Sequence, residues 1–470
     1  MKIHLSAVCG TAMASLAGLL RDLGHEVTGS DQGVYPPMST QLEQMGVAIR
    51  SPYHADNVPA DADLVVIGNA LSRGNPEVEC VLDRRQHMTS APALLADALI
   101  RGRTSLVVAG THGKTTTTGL LAFLLDRAGL DPGFLVGGLP VDFPRSYRLG
   151  HGAHFVIEGD EYDCAFFDKR PKFVHYLPDV AVIGNLEHDH ADIYPDRAAV
   201  EAAFVHLLNV LPRRGLLIAG VESAGVRAVL PRAHSRVETF SAGADPADWQ
   251  AQDIRHAKAG SRFRLLRQGR DLGVFQLCLA GDHNVRNALA ALAAAAAAGV
   301  EPEAAREALA AFQGIRRRLE VRGTVRGVVV YDDFAHHPTA VRATLEALRA
   351  APDRGRILAV FEPRSYTSRT RVFQQAFAEA FSAADLVVVA AVHLPSKVPE
   401  SQRLSEAELV EGIAARGVRA AFIPSVAAIV ESLVCEAREG DRIVVLSNGG
   451  FGGIHAKLLE ALAGSSGTAR

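Results

Sequence analysis

Absences narrow the function first. No cysteines stand at CxxC spacing, because Cys9, Cys80, Cys164, Cys278 and Cys435 are scattered along the chain. Neither a disulfide framework nor a zinc site is therefore indicated, and a reducing cytoplasm is the expected compartment. No apolar run reaches the eighteen or so residues of a membrane span. The opening MKIHLSAVCGTAM enters a strand pattern at once, without the regions of a signal peptide. A surplus of one charge is missing too. The formal net charge is −3 and no basic run stands out, which leaves no electrostatic argument for nucleic acid or an anionic membrane surface. Lysine is scarce, seven residues against 42 arginines, so the position of each lysine is informative.

What remains describes an ordinary globular chain, 48% apolar and 21% charged, and its 470 residues are too many for one core. Short apolar runs ending in Gly, Asp or Asn alternate with helical segments throughout, the pattern of parallel βαβ units. One series runs from KIHLSAV to DLVVIGNA, a second from TSLVVAG to DVAVIGNLEHDH, and a third from GVVVYDDF to DRIVVLSNGG. The section VETFSAGADPADWQAQDIRHAKAGSRFRLLRQGRDLGVFQLCLAG is expected to form antiparallel strands instead. The fold class is thus α/β with three domains: a Rossmann-like first domain over 1–103, a central P-loop ATPase-like domain with added antiparallel strands over 104–322, and a Rossmann-like C-terminal domain over 323–470. The tail AGSSGTAR is expected to fray.

The stretch VVAGTHGKTTTTGLLAFLL, residues 107–125, carries the clearest chemistry. A common P-loop, G-x-x-x-x-G-K-[ST], needs its first glycine at position 108, where this chain has Val108; the glycine is Gly110. The physical requirements survive. An apolar strand delivers a loop of small residues whose N–H groups can face phosphate oxygens, and a helix N-terminus follows. Gly110, Thr111, His112, Gly113, Lys114, Thr115 and Thr116 are the candidate nucleotide-binding residues, with Lys114 on the β/γ-phosphates and the Thr115 hydroxyl on Mg²⁺. A strand-to-helix turn that merely contains Gly-Lys-Thr is the bland alternative, and nucleotide binding alone leaves kinase, motor and ligase open.

Two later strands end in clusters: Glu158, Asp160 and Glu161 in IEGDEYD, then Glu187, His188, Asp189 and His190 in NLEHDHAD. The C-terminal edges of parallel strands lie beside such a loop, so these groups can converge on a metal brought by the phosphates. Solvated loop residues would look the same one cluster at a time. In GDHNVRNALAA, Asn284 and Asn287 stand three apart on one face of a helix start, where capping or adenine recognition both account for them. DDFAHHP, with Asp332, Asp333, His336 and His337, leaves the same choice open.

Taken together, GTHGKT, the E-x-D-E segment, N-x-x-x-D-H-x-D at Asn185 to Asp192, H-N-x-x-N at His283 to Asn287, RRLE and DDFAHHP resemble the Mur ligase family across the whole chain. The resemblance implies an ATP-dependent ligase forming amide bonds in bacterial cell-wall assembly, with UDP-sugar, ATP and the incoming amino compound on successive domains. Within the family, GSDQGVYPPMSTQLEQMGV, GNALSRGNPEVE, AFFDKRPKFVHY and SNGGFGGIHAKLL look most like the branch that joins the murein tripeptide L-alanyl-γ-D-glutamyl-meso-diaminopimelate to UDP-N-acetylmuramate. The sibling branch, which adds single L-alanine, resembles this chain except for AFFDKRPKFVHY, and remains the alternative. A non-catalytic UDP-sugar-binding regulator is the alternative of another class, and a folate polyglutamate ligase shares the ATP chemistry.

The resemblance assigns Lys114, Glu158 and His190 to catalysis, Thr115, Glu158 and His190 to Mg²⁺, and Asn284, Asn287, Arg318 and Asp333 to ATP. It gives Cys9, Gly10, Thr11, Ser30, Asp31, Asn69 and Ser72 to the UDP-sugar. A dinucleotide oxidoreductase is a rival for that first unit, but G-x-G-x-x-G is absent, since Ala7 and Ala12 flank a single Gly10. Arg364, Tyr366, Arg369, Ser447 and Asn448 are candidates for the peptide. Two family features are missing: a lysine that several members carbamoylate, where this chain reads EAAFVH, and the DNPR sequence of the member that adds diaminopimelate.

Overall fold

The computed structural model describes residues 1–34, 38–257, 260–351 and 355–464. Expectations for the end of the tail fall outside them, as do Tyr35 to Pro37 of the GSDQGVYPPMS segment. The described residues build three large sheets in succession, with a two-stranded hairpin, Asp163–Ala165 against Asp168–Pro171, beside the second. The first has five parallel strands in the order 48–50, 26–30, 2–6, 64–67, 88–90. Its strand Leu64–Ile67 is LVVI with every residue buried, as a parallel strand covered on both faces requires. The order reverses between Lys2–Ser6 and Leu64–Ile67, and the crevice beyond their C-terminal ends is where such a sheet takes a ligand.

The second sheet has ten strands. Strands 133–135, 154–159, 104–109, 180–183, 216–220 and 236–241 are parallel neighbours, while 249–257, 260–267 and 270–277 form an antiparallel extension. VETFS corrects the expectation for its segment: Arg236–Ser241 pairs parallel with both Leu216–Gly220 and the start of Trp249–Ala257, so the antiparallel part begins only after Trp249. Its periodicity is that of a half-covered strand and does not reveal strand direction. Helix Lys114–Arg127 buries nearly its whole length against this sheet and the alanine-rich helix Asp282–Ala297, whose small side chains let the two lie close.

The third sheet runs 320–325, 328–333, 442–446, 357–361, 386–389, 419–422, all parallel except the first strand. Strands Ile357–Phe361 and Arg442–Leu446 are buried throughout and carry the middle of this core. Among the described residues no helix is long and apolar enough to cross a membrane.

Candidate active site between the central and C-terminal sheets

Strand Thr104–Ala109 ends at the loop Gly110–Gly113, and helix Lys114–Arg127 starts immediately after it. Gly110 has φ +131° and Gly113 φ +82°, backbone that favours glycine. A Cβ on Gly113 would lie 2.3 Å from Asn287 Oδ1, so the loop and helix Asp282–Ala297 touch without room for a side chain. Asn185 clamps the loop from the neighbouring strand end. Its Oδ1 accepts from the His112 N–H at 2.8 Å, its Nδ2 donates to the His112 carbonyl at 3.0 Å, and its own carbonyl accepts from the Thr111 N–H.

The Lys114 ammonium donates to Glu161 at 2.8 and 3.0 Å and to the Gly110 carbonyl at 2.7 Å. Burial alone would lower its pKa, but Glu161 and Asp160 hold it above the ordinary value, so it is a cation. Thr115 Oγ1 stands 3.3 Å from Glu158, whose other oxygen accepts from the Gly137 N–H at 2.5 Å. Burial raises Glu158 above the usual carboxylate range despite that amide and Lys114.

His190 contacts a different carboxylate from Thr115. Its Nε2 is 3.0 Å from Glu161 Oε1, and the cluster around it is Asp160, Glu161 and His190, whereas Thr115 pairs with Glu158. Burial opposes its protonation, yet Glu161 and Asp189 raise its pKa, and Glu161 is its hydrogen-bond partner. Glu161, 1% exposed, thus joins the lysine to the histidine. The E-x-D-E spacing held that signal, since Glu161 closes the same cluster as Glu158.

Lys114, Thr115, Glu158, Asp160 and His190 line a cavity of about 1130 Å³ that also takes in Thr111, His112, Thr116, Asn284, Asn287, Arg318 and Asp333. Gly110 is not among the lining residues. Asn284 Nδ2 caps the Ala280 carbonyl at 2.8 Å and its Oδ1 accepts from Asn287 at 3.3 Å, so part of each amide is already used structurally. The Arg318 guanidinium sits over the Phe334 ring at 5.2 Å. Asp333 is 4% exposed and accepts from the N–H groups of Leu319 and Ala335 at 2.7 and 2.8 Å. It therefore anchors the segment entering the third sheet as well as facing the cavity. From the C-terminal side, Thr339 Oγ1 donates to Glu187 at 2.6 Å and Thr367 Oγ1 to Asp189 at 2.7 Å, so the second strand-end cluster is bridged to the C-terminal domain.

A second cavity, about 430 Å³, opens at the reversal of strand order in the first sheet and is lined by Cys9, Gly10, Thr11, Asp31, Tyr53 and Asn69 among others. Asp31 is fixed there by the N–H groups of Cys9 and Gly33 at 2.8 and 3.0 Å and by the Tyr53 hydroxyl at 3.2 Å. Ser30 and Ser72 do not reach it. The Ser30 side chain points into the domain and donates to the buried Glu77, and Ser72 is exposed on the turn before helix Pro76–Asp83. Glu77 also accepts from Ser6 at 2.6 Å and Asn57 at 2.9 Å. Burial opposes its ionisation, but these donors and His4 hold it down at about 2. A carboxylate lowered from 4.5 stabilises the fold fully above pH 4.5, and the contribution is lost as pH falls towards 2. Glu77→Gln should accordingly be less stable than the wild type at neutral pH, and urea titrations should find the gap closing between pH 4.5 and 2; a gap independent of pH would refute the assignment.

The expected peptide residues line neither cavity. Ser447 Oγ donates to Glu362 and accepts from the Gly449 N–H at 3.0 Å, Arg364 lies 3.5 Å from Glu362 and packs on Gly449, and Arg369 donates to the His393 and Ser365 carbonyls. Tyr366 opens the short helix Tyr366–Arg369, and Asn448 Oδ1 is buried without a hydrogen-bond partner. They gather at the C-terminal ends of strands Ile357–Phe361 and Arg442–Leu446, next to Thr367 and hence to the Asp189 bridge.

Comparison with known proteins accords with this arrangement. Residues 2–103 match the profile described as Mur ligase family, catalytic domain, residues 108–295 the Mur ligase middle domain, and residues 317–449 the Mur ligase, glutamate ligase domain. The UDP-N-acetylmuramate–L-alanyl-gamma-D-glutamyl-meso-2,6-diaminoheptandioate ligase of Escherichia coli (strain K12) is 44% identical over 467 residues, 98% of each chain. The UDP-N-acetylmuramate–L-alanine ligase of Solibacter usitatus is 37% identical over 464 residues, 98% of this chain and 95% of that one. The crystal structure of a murein peptide ligase from Psychrobacter arcticus superposes over 100% of both chains with a TM-score of 0.76 at 39% identity. The chain belongs to the Mur ligase family.

Proposed function

We propose that the chain joins the tripeptide L-alanyl-γ-D-glutamyl-meso-diaminopimelate to UDP-N-acetylmuramate at the expense of ATP, in the cytoplasm. The observation that carries the reading is the lysine at the start of helix Lys114–Arg127, held as a cation at the mouth of a cavity that both the central and C-terminal sheets line. Full-length identity to the tripeptide ligase of Escherichia coli supports the choice of acceptor. So does the AFFDKRPKFVHY segment, which supplies the turn and second strand of the hairpin Asp163–Ala165 with Asp168–Pro171.

In this reading residues 1–103 hold the UDP-sugar around Asp31 and Gly10, residues 104–322 hold ATP, and residues 323–470 present the peptide. Carboxylates acylate poorly because oxide is a bad leaving group. Attack of the muramate carboxylate on the γ-phosphate gives an acyl phosphate and ADP, and the tripeptide's free amine then displaces phosphate through a tetrahedral intermediate. Lys114 stabilises the charge on the transferring phosphoryl group, and the loop N–H groups position it. The Thr115 hydroxyl and Glu158 carboxylate are hard oxygen donors suited to Mg²⁺, with His190 alongside. That ion, when bound, supplies countercharge to the phosphate oxygens. Arg364, Tyr366, Arg369, Ser447 and Asn448 are offered for the peptide, and the bridges from Thr339 and Thr367 keep the C-terminal sheet over the cavity so that water is excluded.

Incubation with ATP, Mg²⁺ and UDP-N-acetylmuramate should release ADP when the tripeptide is supplied and not with L-alanine. ADP release with L-alanine alone would transfer the chain to the sibling activity, and no ADP release with either acceptor would favour a binding protein without catalysis.

A further inference from the structure

Three groups of potential metal ligands occur among the described residues: Asp160, Glu161 and His190; Cys164, Asp168 and His175; and His112, Glu187 and His337. In the first, the ammonium groups of Lys114 and Lys172 already sit on Glu161 and Asp160. In the second, Arg170 takes both oxygens of Asp168 at 2.8 and 2.9 Å. The ligand atoms of the third group meet no lysine or arginine in the contacts described for them.

Its geometry suits a tetrahedral dication. His112 Nε2 is buried and makes no hydrogen bond, although Glu187 Oε2 lies only 3.4 Å away. Two donors bound at zinc's usual distance of about 2.0–2.1 Å in a tetrahedron stand roughly 3.3 Å apart. Each residue offers one ligand atom within 4.8 Å of the others, so small side-chain adjustments close the set. The surroundings that orient metal ligands are in place as well. Thr339 Oγ1 donates to the Glu187 carboxylate at 2.6 Å, and His337 Nε2 is 3.2 Å from the His188 carbonyl. With the proton on Nε2, Nδ1 of His337 keeps its lone pair, which now accepts the Thr339 N–H over a long 3.3 Å. Exchanging that contact for a metal bond is the one hydrogen bond binding must give up.

We propose that His112, Glu187 and His337 bind one zinc-class dication that ties the phosphate loop to the first helix of the C-terminal sheet. Two imidazoles and one carboxylate suit zinc and its neighbours, whereas magnesium prefers oxygen donors. The site is separate from the Thr115 and Glu158 oxygens and does not depend on which acceptor the ligase uses. Because Glu187 and His112 come from the strand ends of the central sheet and His337 is the N-cap of helix Pro338–Ala350, the bound ion locks the two sheets together. Zinc should then slow turnover by holding the cavity shut.

The test is a zinc titration of the full chain after chelator treatment, with Mg²⁺ in large excess, read by calorimetry. One zinc per chain is expected. His337→Gln and Glu187→Gln should each weaken binding at least about 100-fold, since a ligand matters more than the 10–100-fold typical of its supporting groups. Cys164→Ser should leave binding unchanged. Absence of zinc binding in the wild type, or equal binding in both site variants, overturns the proposal. Should either variant fail to fold, X-ray absorption of the zinc-loaded wild type decides instead: two imidazoles and no sulfur are expected, and a sulfur ligand would place the ion on Cys164 and overturn the site.

Discussion

Lys114→Ala should cut ADP release at least about a thousandfold while leaving UDP-sugar binding intact. The size follows from the chemistry: phosphoryl transfer relies on positioned charge, and single cations at the transferring group are worth 10³–10⁵ in rate. Lys114 is one of seven lysines and stands at the helix start, within reach of the loop carbonyls and of Glu161. Removing it has a second consequence. Glu161 is 1% exposed and would keep His190 as its side-chain hydrogen-bond partner but lose the ammonium in contact with it, and stripping one side from a buried pair costs about 3–5 kcal/mol. The variant should therefore unfold at a lower temperature as well. Lys114→Ala/Glu161→Gln separates the two effects, because it removes the orphaned carboxylate but not the need for a cation. Stability should return and activity should not. Calorimetry with UDP-N-acetylmuramate checks the first domain, whose cavity at Asp31 shares no residue with Lys114's contacts except through the wall at Ala12. Near-normal ADP release by Lys114→Ala would remove the lysine from the mechanism.

The alternation of strand and helix was legible because parallel strands buried on both faces read as unbroken apolar runs, LVVI and VAVI among them. The phosphate loop was legible because its glycines, lysine and threonine are contiguous. Strand direction after VETFS was not, since a half-covered strand looks alike whether its neighbour runs with it or against it. Ser30 shows the limit of motif transfer. It sits beside the site-facing Asp31, yet alternation along the strand turns it inward to Glu77. Glu161 and Asn185 lay inside recognised segments, but their roles depend on partners distant in sequence, Lys114 with His190 for one and the loop backbone for the other. The grouping of His112, Glu187 and His337 is invisible to any local spacing because it is assembled only when the third sheet docks on the second.

Gly113→Ala is the second variant expected to have a large effect, and it separates backbone strain from lost space. At φ +82° a side chain costs about 1–2 kcal/mol, and the added methyl would stand 2.3 Å from Asn287 Oδ1, which must move. Overpacking of that kind adds about 1–3 kcal/mol. Asn287 is tied to Asn284, which caps Ala280, so its displacement disturbs the start of helix Asp282–Ala297 as well as the phosphate loop. Gly129 provides the control: its φ is +77°, and an added Cβ meets nothing within 4 Å. Gly129→Ala should show the strain alone and bind ATP normally. Gly113→Ala should lose more stability than that and weaken ATP binding at least about tenfold. The double variant Gly113→Ala/Asn287→Ala removes the clash, so thermal unfolding should return to the level of Gly129→Ala. If Asn287 contacts the nucleotide, ATP affinity will stay low in that double variant, and full recovery would restrict the residue to packing. A Gly113→Ala protein that unfolds no earlier than Gly129→Ala and binds ATP as the wild type does would mean that the close approach of loop and helix has no part in holding phosphate.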